Sequence, residues 1–118
     1  MKKVYYLSTC STCTKIMNEV GVDSSWECQD IKRHNIDEAT LDAIKDQYGS
    51  YEAIFSKRAM KYKSMGLKDK KLNDRDYKKL MLEEYTFLQR PIFFVNGKYF
   101  VGNAAKTVNA VKEALKKA

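Results

Sequence analysis

The sequence carries one proline, one histidine and one tryptophan in 118 residues, and no apolar run near the ~20 residues that a membrane-spanning helix needs. Its mean hydropathy of −0.56 points the same way, so no membrane span is expected. With Pro91 as the single proline, and no repeat or low-complexity tract, there is no linker at which to divide the chain. A single domain over residues 1–118 is expected. The apolar stretch after Met1-Lys2-Lys3 runs only from Val4 to Leu7, short of the ~7 to 15 residues of a secretory leader. That places the chain in the cytoplasm as an expectation. Three cysteines is an odd and small number, and a cytosolic chain keeps its thiols reduced, which excludes a structural disulfide framework. The thiols are then reactive, metal-bound or buried. What is plentiful is apolar material, 44% hydrophobic and 12% aromatic, enough for one packed core and too much for a disordered chain.

Charge is unevenly placed. The chain has 22 Lys+Arg against 15 Asp+Glu, a net +7, and the stretch Ser56 to Leu80 holds ten basic and three acidic residues, which accounts for the whole excess. The helical spacing of these charges, without an aromatic stacking platform or an RNA-binding motif, predicts a solvated face rather than a nucleic-acid interface.

Lys2 to Leu7 reads as a strand, with Ser8-Thr9 as candidate caps for a helix that starts near Ser11 and buries Cys13, Ile16, Met17 and Val20 up to a stop at Gly21. Trp26 to Ile31 is a second strand. Asn35-x-x-Glu38 resembles a capping box for a helix with Leu41, Ile44 and Tyr48 in period, ended by Gly49. Residues 50–88 read as a charged helical insertion, broken at Gly66, with Asn73-Asp74 capping a helix that carries Tyr77, Leu80, Met81 and Tyr85. Ile92 to Val95, Asn96-Gly97 and Lys98 to Val101 form a hairpin pattern, after which Asn103 can cap a helix striped by Ala104, Val108, Val111 and Leu115. The order β-α-β-α, helical insertion, β-β-α is similar to the thioredoxin/glutaredoxin architecture. Right-handed crossovers and an antiparallel hairpin then predict an α/β fold with a mixed four-stranded sheet and helices on its faces.

The chemistry concentrates at Cys10-Ser11-Thr12-Cys13, between the first strand and the first helix. A helix N-terminus offers orphan N–H groups and partial positive charge, which stabilise a thiolate. Cys10 is therefore the expected nucleophile, and Cys13, one turn further in, the thiol that resolves a mixed disulfide. A zinc site from Cys10, Cys13, Cys28 and His34 has acceptable ligand types, but Cys28 falls within a strand-like run, and no metal is expected. Cys28 reads as a small buried hydrophobe and His34 as a solvated loop residue.

These residues carry a resemblance to the ArsC/Spx family, arsenate reductase-like proteins with a thioredoxin fold. It rests on Tyr6-x3-Cys10-x2-Cys13, on Ser56-Lys57-Arg58, Tyr62-Lys63 and Gly66-Leu67, and on Leu88-Gln89-Arg90-Pro91-Ile92. The resemblance implies a Cys10 that attacks an oxyanion or a disulfide, arginines at Arg90 and Arg58 that hold the negative charge, and a Pro91 set beside the cysteine, usually through a cis peptide bond. Taken alone, Arg90 is a surface cation before a proline and Arg58 a member of a charge run. Arg58 stands about two residues from the arginine of the glutaredoxin-linked arsenate reductases, and Gly102 occupies the place of a further arginine, which weakens an oxyanion clamp. An arginine at 102 is expected to strengthen it. Thr14 follows the cysteine pair where relatives are often basic, and Lys15 next to it contributes charge instead.

Two functions follow from the resemblance. One is a thiol-dependent reductase, arsenate reductase-like, with no bound cofactor and with glutathione/glutaredoxin or thioredoxin as the electron source. The other is an Spx-like regulator that senses oxidation through Cys10 and Cys13 and binds RNA polymerase. Having both cysteines resembles the regulator, whereas Gly49 lies nine positions before Arg58, one more than in relatives that bind polymerase.

Overall fold

The computed structural model describes residues 1–117. The chain forms two compact units, one from residues 1–34 together with the chain from 90 onward, the other from residues 35–89.

The first unit is built on a four-stranded mixed sheet in the order β2-β1-β3-β4. Strand β1 (Lys2–Tyr6) pairs in parallel with β2 (Glu27–Asp30) and antiparallel with β3 (Ile92–Val95), which pairs antiparallel with β4 (Lys98–Val101). The β3–β4 turn places Asn96 at φ 50° and Gly97 at φ 86°, the two positive φ values that a two-residue hairpin loop requires. Helices α1 (Ser11–Val20) and α5 (Ala105–Lys116) supply Ile16, Val108 and Val111 to a core with Val4, Trp26, Phe93, Val95 and Phe100. The Trp26 and Phe93 rings meet edge to face at 5.8 Å. Lys112 joins Glu19 at 2.7 Å, tying α5 to α1. This β-α-β followed by β-β-α, with one parallel and two antiparallel pairings, is the thioredoxin-like sheet that the element order predicts.

The second unit contains α2 (Glu38–Tyr48), α3 (Met60–Ser64) and α4 (Asp74–Glu83), with 3₁₀ turns at Glu52–Ile54, Leu67–Asp69 and Tyr85–Phe87. Phe55 is its aromatic hub, with Tyr77 and Phe87 at 4.9 Å and Tyr62 at 5.9 Å between ring centroids. Segments 53–56 and 87–89 are stitched by Ser56 N–H to Phe87 O at 2.6 Å and Gln89 N–H to Ile54 O at 3.0 Å. Among the described residues, no helix is long and apolar enough to cross a membrane.

Several local expectations change. Ser8 and Thr9 do not cap α1, because a turn closed by Cys10 N–H to Leu7 O at 3.0 Å puts Cys10 itself at the N-cap. The capping box expected at Asn35 does not form. Asp37 caps α2 by accepting from Thr40 N–H at 2.7 Å, while Asn35 reaches back to α4, donating to Met81 O at 3.0 Å and Leu82 O at 3.2 Å. Tyr48 is exposed at the last turn of α2, and Tyr85 lies beyond α4 in a 3₁₀ turn. Asn103 does not cap α5: the helix starts at Ala105 with exposed Ala104 as its N-cap, one residue later than the pattern suggests. The Asn73 cap forms as a full box, accepting from Asp76 N–H while Asp76 accepts from Asn73 N–H.

Candidate thiol redox site

The apolar face of α1 and the polar turn before it fix the two thiols differently. Cys10, at the N-cap, has extended backbone angles (φ −98°, ψ 110°) and is half-buried. Its carbonyl accepts the Thr14 N–H at 3.3 Å, the first bond of the helix. Cys13 stands one turn in, on the face that carries Ile16, and is fully buried.

Burial pushes the Cys10 thiol up. This is more than offset by hydrogen bonds from the Cys13 backbone N–H and the Cys13 thiol, by the Arg90 charge and by the Thr12 N–H, so that Cys10 ends below its ordinary value. Cys13 ends on the other side of its ordinary value, pushed up to about 11 by burial, reinforced by its bond to the Cys10 thiol and opposed by the Leu7 backbone and by Arg90. Two thiols at one helix end are thus driven apart, one towards thiolate and one towards thiol, the pattern that assigns separate roles to paired titratable groups.

Arg90 is half-buried with its Nε inside the protein, and its charge reaches both sulfurs. It is joined to Pro91 by a cis peptide bond just before β3. The Pro91 carbonyl accepts Gly102 N–H at 3.0 Å, which ties the end of β4 to this segment. Gly102 is buried with φ 102°, in the left-handed region. Lys15 is exposed on α1. Its charge acts on Glu19, which is held below the usual carboxylate range first by its hydrogen bond to Lys112 and in smaller part by Lys15. Arg58 belongs to the second unit, exposed in the turn before α3.

Cys28 departs from expectation. It is exposed rather than buried, on β2, which stands at the edge of the sheet. There it lines a groove of about 280 Å³ with Tyr6, Ser8, Thr14, Met17, Asn18 and Val22. Its thiol is nonetheless raised by local burial. His34 is exposed in the turn after β2, and among the described residues no group of three or more His, Cys, Asp and Glu is placed to hold a metal. What the sequence did not announce are the backbone donors of Thr12, Cys13 and Leu7 at the sulfurs, since main-chain groups leave no residue-type signal.

The model of the ArsC family matches residues 5–111. No curated protein matches the sequence. Solved structures similar to this one include an arsenate reductase from Vibrio cholerae, at 19% identity and TM-score 0.76, with 96% of each chain covered. An arsenate reductase (ArsC) related protein from Brucella melitensis shows 20% identity and TM-score 0.68, with 92% of each covered. A Staphylococcus aureus protein shows 25% identity and TM-score 0.71, covering 93% of this chain and 97% of its own.

Proposed function

The chain belongs to the ArsC family, and from that premise we propose that it is a thiol-dependent oxidoreductase in which Cys10 is the nucleophile and Cys13 the resolving thiol. The observation that carries the reading is the opposite displacement of the two thiols at one helix N-terminus, with Arg90 charged beside both. In the forward step the Cys10 thiolate attacks a disulfide R–S–S–R′, forming Cys10–S–S–R and releasing R′S⁻, which takes up a proton. Cys13 then loses its proton and attacks the Cys10 sulfur. The new bond is the Cys10–Cys13 disulfide, the bond broken releases RS⁻, and the substrate has gained the two electrons that the pair has lost. Glutathione with glutaredoxin, or a thioredoxin, returns two electrons to the pair.

Arg90 would bind the anionic part of a substrate such as a glutathionyl group or arsenate, because a guanidinium fork presents paired donors to an oxyanion. Pro91 places that arginine, and the contributions of Arg58 and Lys15 rest on resemblance and sequence position. The Spx-like alternative uses the same pair as a switch: oxidation to the disulfide would change binding to RNA polymerase without turnover.

The test is a coupled assay with glutathionylated peptide or arsenate as oxidant and glutathione/glutaredoxin or thioredoxin as reductant. Multiple turnovers are expected with at least one combination. They should vanish in Cys10→Ser, and Cys13→Ser should accumulate a glutathione adduct on Cys10. Stoichiometric oxidation without turnover in every combination would overturn the enzymatic reading in favour of the switch.

A further inference from the structure

Strand β2 ends at Asp30, opposite Tyr6 of β1, and the ladder beyond them closes on backbone alone, with Ile31 N–H donating to Tyr6 O at 2.9 Å. The sheet itself therefore needs no carboxylate at this position. The Asp30 side chain is nonetheless only 9% exposed, and its salt-bridge partner Arg33 stands 4.0 Å away with 89% exposure, a pairing that solvent largely screens. A carboxylate with so little access to water has to be satisfied by donors of the chain.

Those donors come in part from the turn that leads into the cysteine pair. Asp30 Oδ1 accepts the Ser8 N–H at 3.4 Å and the Lys32 N–H at 3.2 Å. The Ser8 hydroxyl is the first of the groups that hold the Asp30 carboxyl below its usual range, against burial and together with the Lys32 and Ser8 N–H groups and the Arg33 charge. Ser8 is the second residue of the turn closed by Cys10 N–H to Leu7 O at 3.0 Å. This turn serves both sulfurs, because it sets Cys10 at the N-cap of α1 and its Leu7 backbone bonds to Cys13. All of these residues lie in the first unit.

We propose, resting on the proposed role of Cys10 as nucleophile, that Asp30 is a positioning residue: its carboxylate anchors the turn from Leu7 to Cys10 through Ser8 and so keeps the Cys10 sulfur within reach of the free N–H groups that open α1. The sulfur meets the Cys13 and Thr12 N–H groups while Cys10 keeps its extended N-cap backbone (φ −98°, ψ 110°), and the turn is the covalent link that sets that backbone. Asp30 acts by accepting hydrogen bonds, since a negative charge near a thiol works against its ionisation. Asparagine keeps the acceptor and drops the charge, whereas alanine drops both.

The experiment measures iodoacetamide labelling of Cys10 against pH in the full chain and in Asp30→Ala, Asp30→Asn and Ser8→Ala, with labelling of the fully buried Cys13 as the index of folding. In Asp30→Ala the Cys10 midpoint should move to higher pH and the rate at pH 7 should fall about threefold or more, converging on the wild-type rate where Cys10 is fully ionised. Asp30→Asn should restore the wild-type midpoint, and Ser8→Ala, which removes only the hydroxyl, should raise it by less than Asp30→Ala. Where Asp30→Ala labels Cys13 as fast as Cys10 the chain has opened, and Ser8→Ala then decides: a raised midpoint supports the proposal and an unmoved one overturns it. An unmoved midpoint in a folded Asp30→Ala overturns it directly. So does an Asp30→Asn midpoint that follows Asp30→Ala, which removes the acceptor role, or one that falls below wild type, which assigns the effect to charge. A wild-type Cys10 that exchanges with no disulfide at any pH would refute the thiol-exchange function, while the alkylation midpoints would still decide the role of Asp30.

Discussion

The backbone N–H of Cys13 donates to the sulfur of Cys10, so the residue that is itself buried and pushed towards the thiol helps to bring its neighbour's thiol below the ordinary value. One helical turn achieves this by geometry: the first N–H groups of α1 have no carbonyl partner within the helix and point at the N-cap sulfur.

The first prediction is an order of reactivity. With iodoacetamide at pH 7, Cys10 should be labelled before Cys13 and before Cys28, although Cys28 is the most exposed of the three. Thiolate fraction controls the rate, and both other thiols are raised. Peptide mapping of a timed alkylation checks it, and earlier labelling at Cys28 would mean that access governs instead.

The second concerns Arg90, whose charge is among the groups lowering Cys10. In Arg90→Gln the midpoint of the rate-versus-pH curve for Cys10 alkylation should move to higher pH. The two proteins should converge well above the ordinary thiol value, where Cys10 is fully ionised in both. An unmoved midpoint would assign the shift to backbone donors alone.

How far the sequence was legible depends on whether a feature is local. The hairpin of β3 and β4 was readable to the residue because Asn96-Gly97 needs no tertiary context to demand its turn. The Cys10–Cys13 pair at a helix start was readable for the same reason. Cys28 was misplaced because nothing in Trp26 to Ile31 says that β2 stands at an edge, and burial of one strand face depends on what covers it. Asn35 was assigned to the wrong helix because its partners, Met81 and Leu82, lie far along the chain, and a side-chain amide can cap a helix end that is adjacent only in space.

That contact makes the third prediction. The carbonyls of Met81 and Leu82 are in the last turn of α4, where no intrahelical donor remains, and Asn35 supplies both bonds. Asn35→Ala should cost about 1 to 2 kcal/mol of unfolding free energy. Urea denaturation checks it, and a cost within ~0.3 kcal/mol of zero would show that water replaces the amide.

Gly102 supplies the fourth. An arginine here, expected from the family comparison to complete an anion clamp, would have to adopt φ 102° at a buried position. Conformations of this kind cost a non-glycine residue about 1 to 3 kcal/mol. Gly102→Arg should therefore melt at lower temperature and gain no arsenate turnover. A gain in turnover without loss of melting temperature would show that the β4 end relaxes around the new side chain.

The last prediction reads the two thiol shifts as stability. Cys10 is lowered in the folded chain, so its contribution is complete above the ordinary thiol value of 9.0 and is lost only as pH falls through the folded value. Cys13 is raised to about 11, so its contribution is complete below 9.0 and is lost as pH rises towards about 11, because the unfolded chain then releases a proton that the folded chain still holds. The two windows do not overlap. Between pH 9 and 11 the reduced protein should therefore lose stability through Cys13, on the order of 2 to 3 kcal/mol. Tyrosines and lysines titrate in the same range, but they are common to a Cys13→Ala variant, so the difference between the two proteins isolates the thiol. Urea unfolding under a non-thiol reductant at pH 8, 9, 10 and 11 should show wild type converging on the variant as pH rises. Parallel curves would mean that the Cys13 sulfur ionises in the folded protein near its ordinary value, and the assignment of Cys13 as the thiol held in reserve would fail with it.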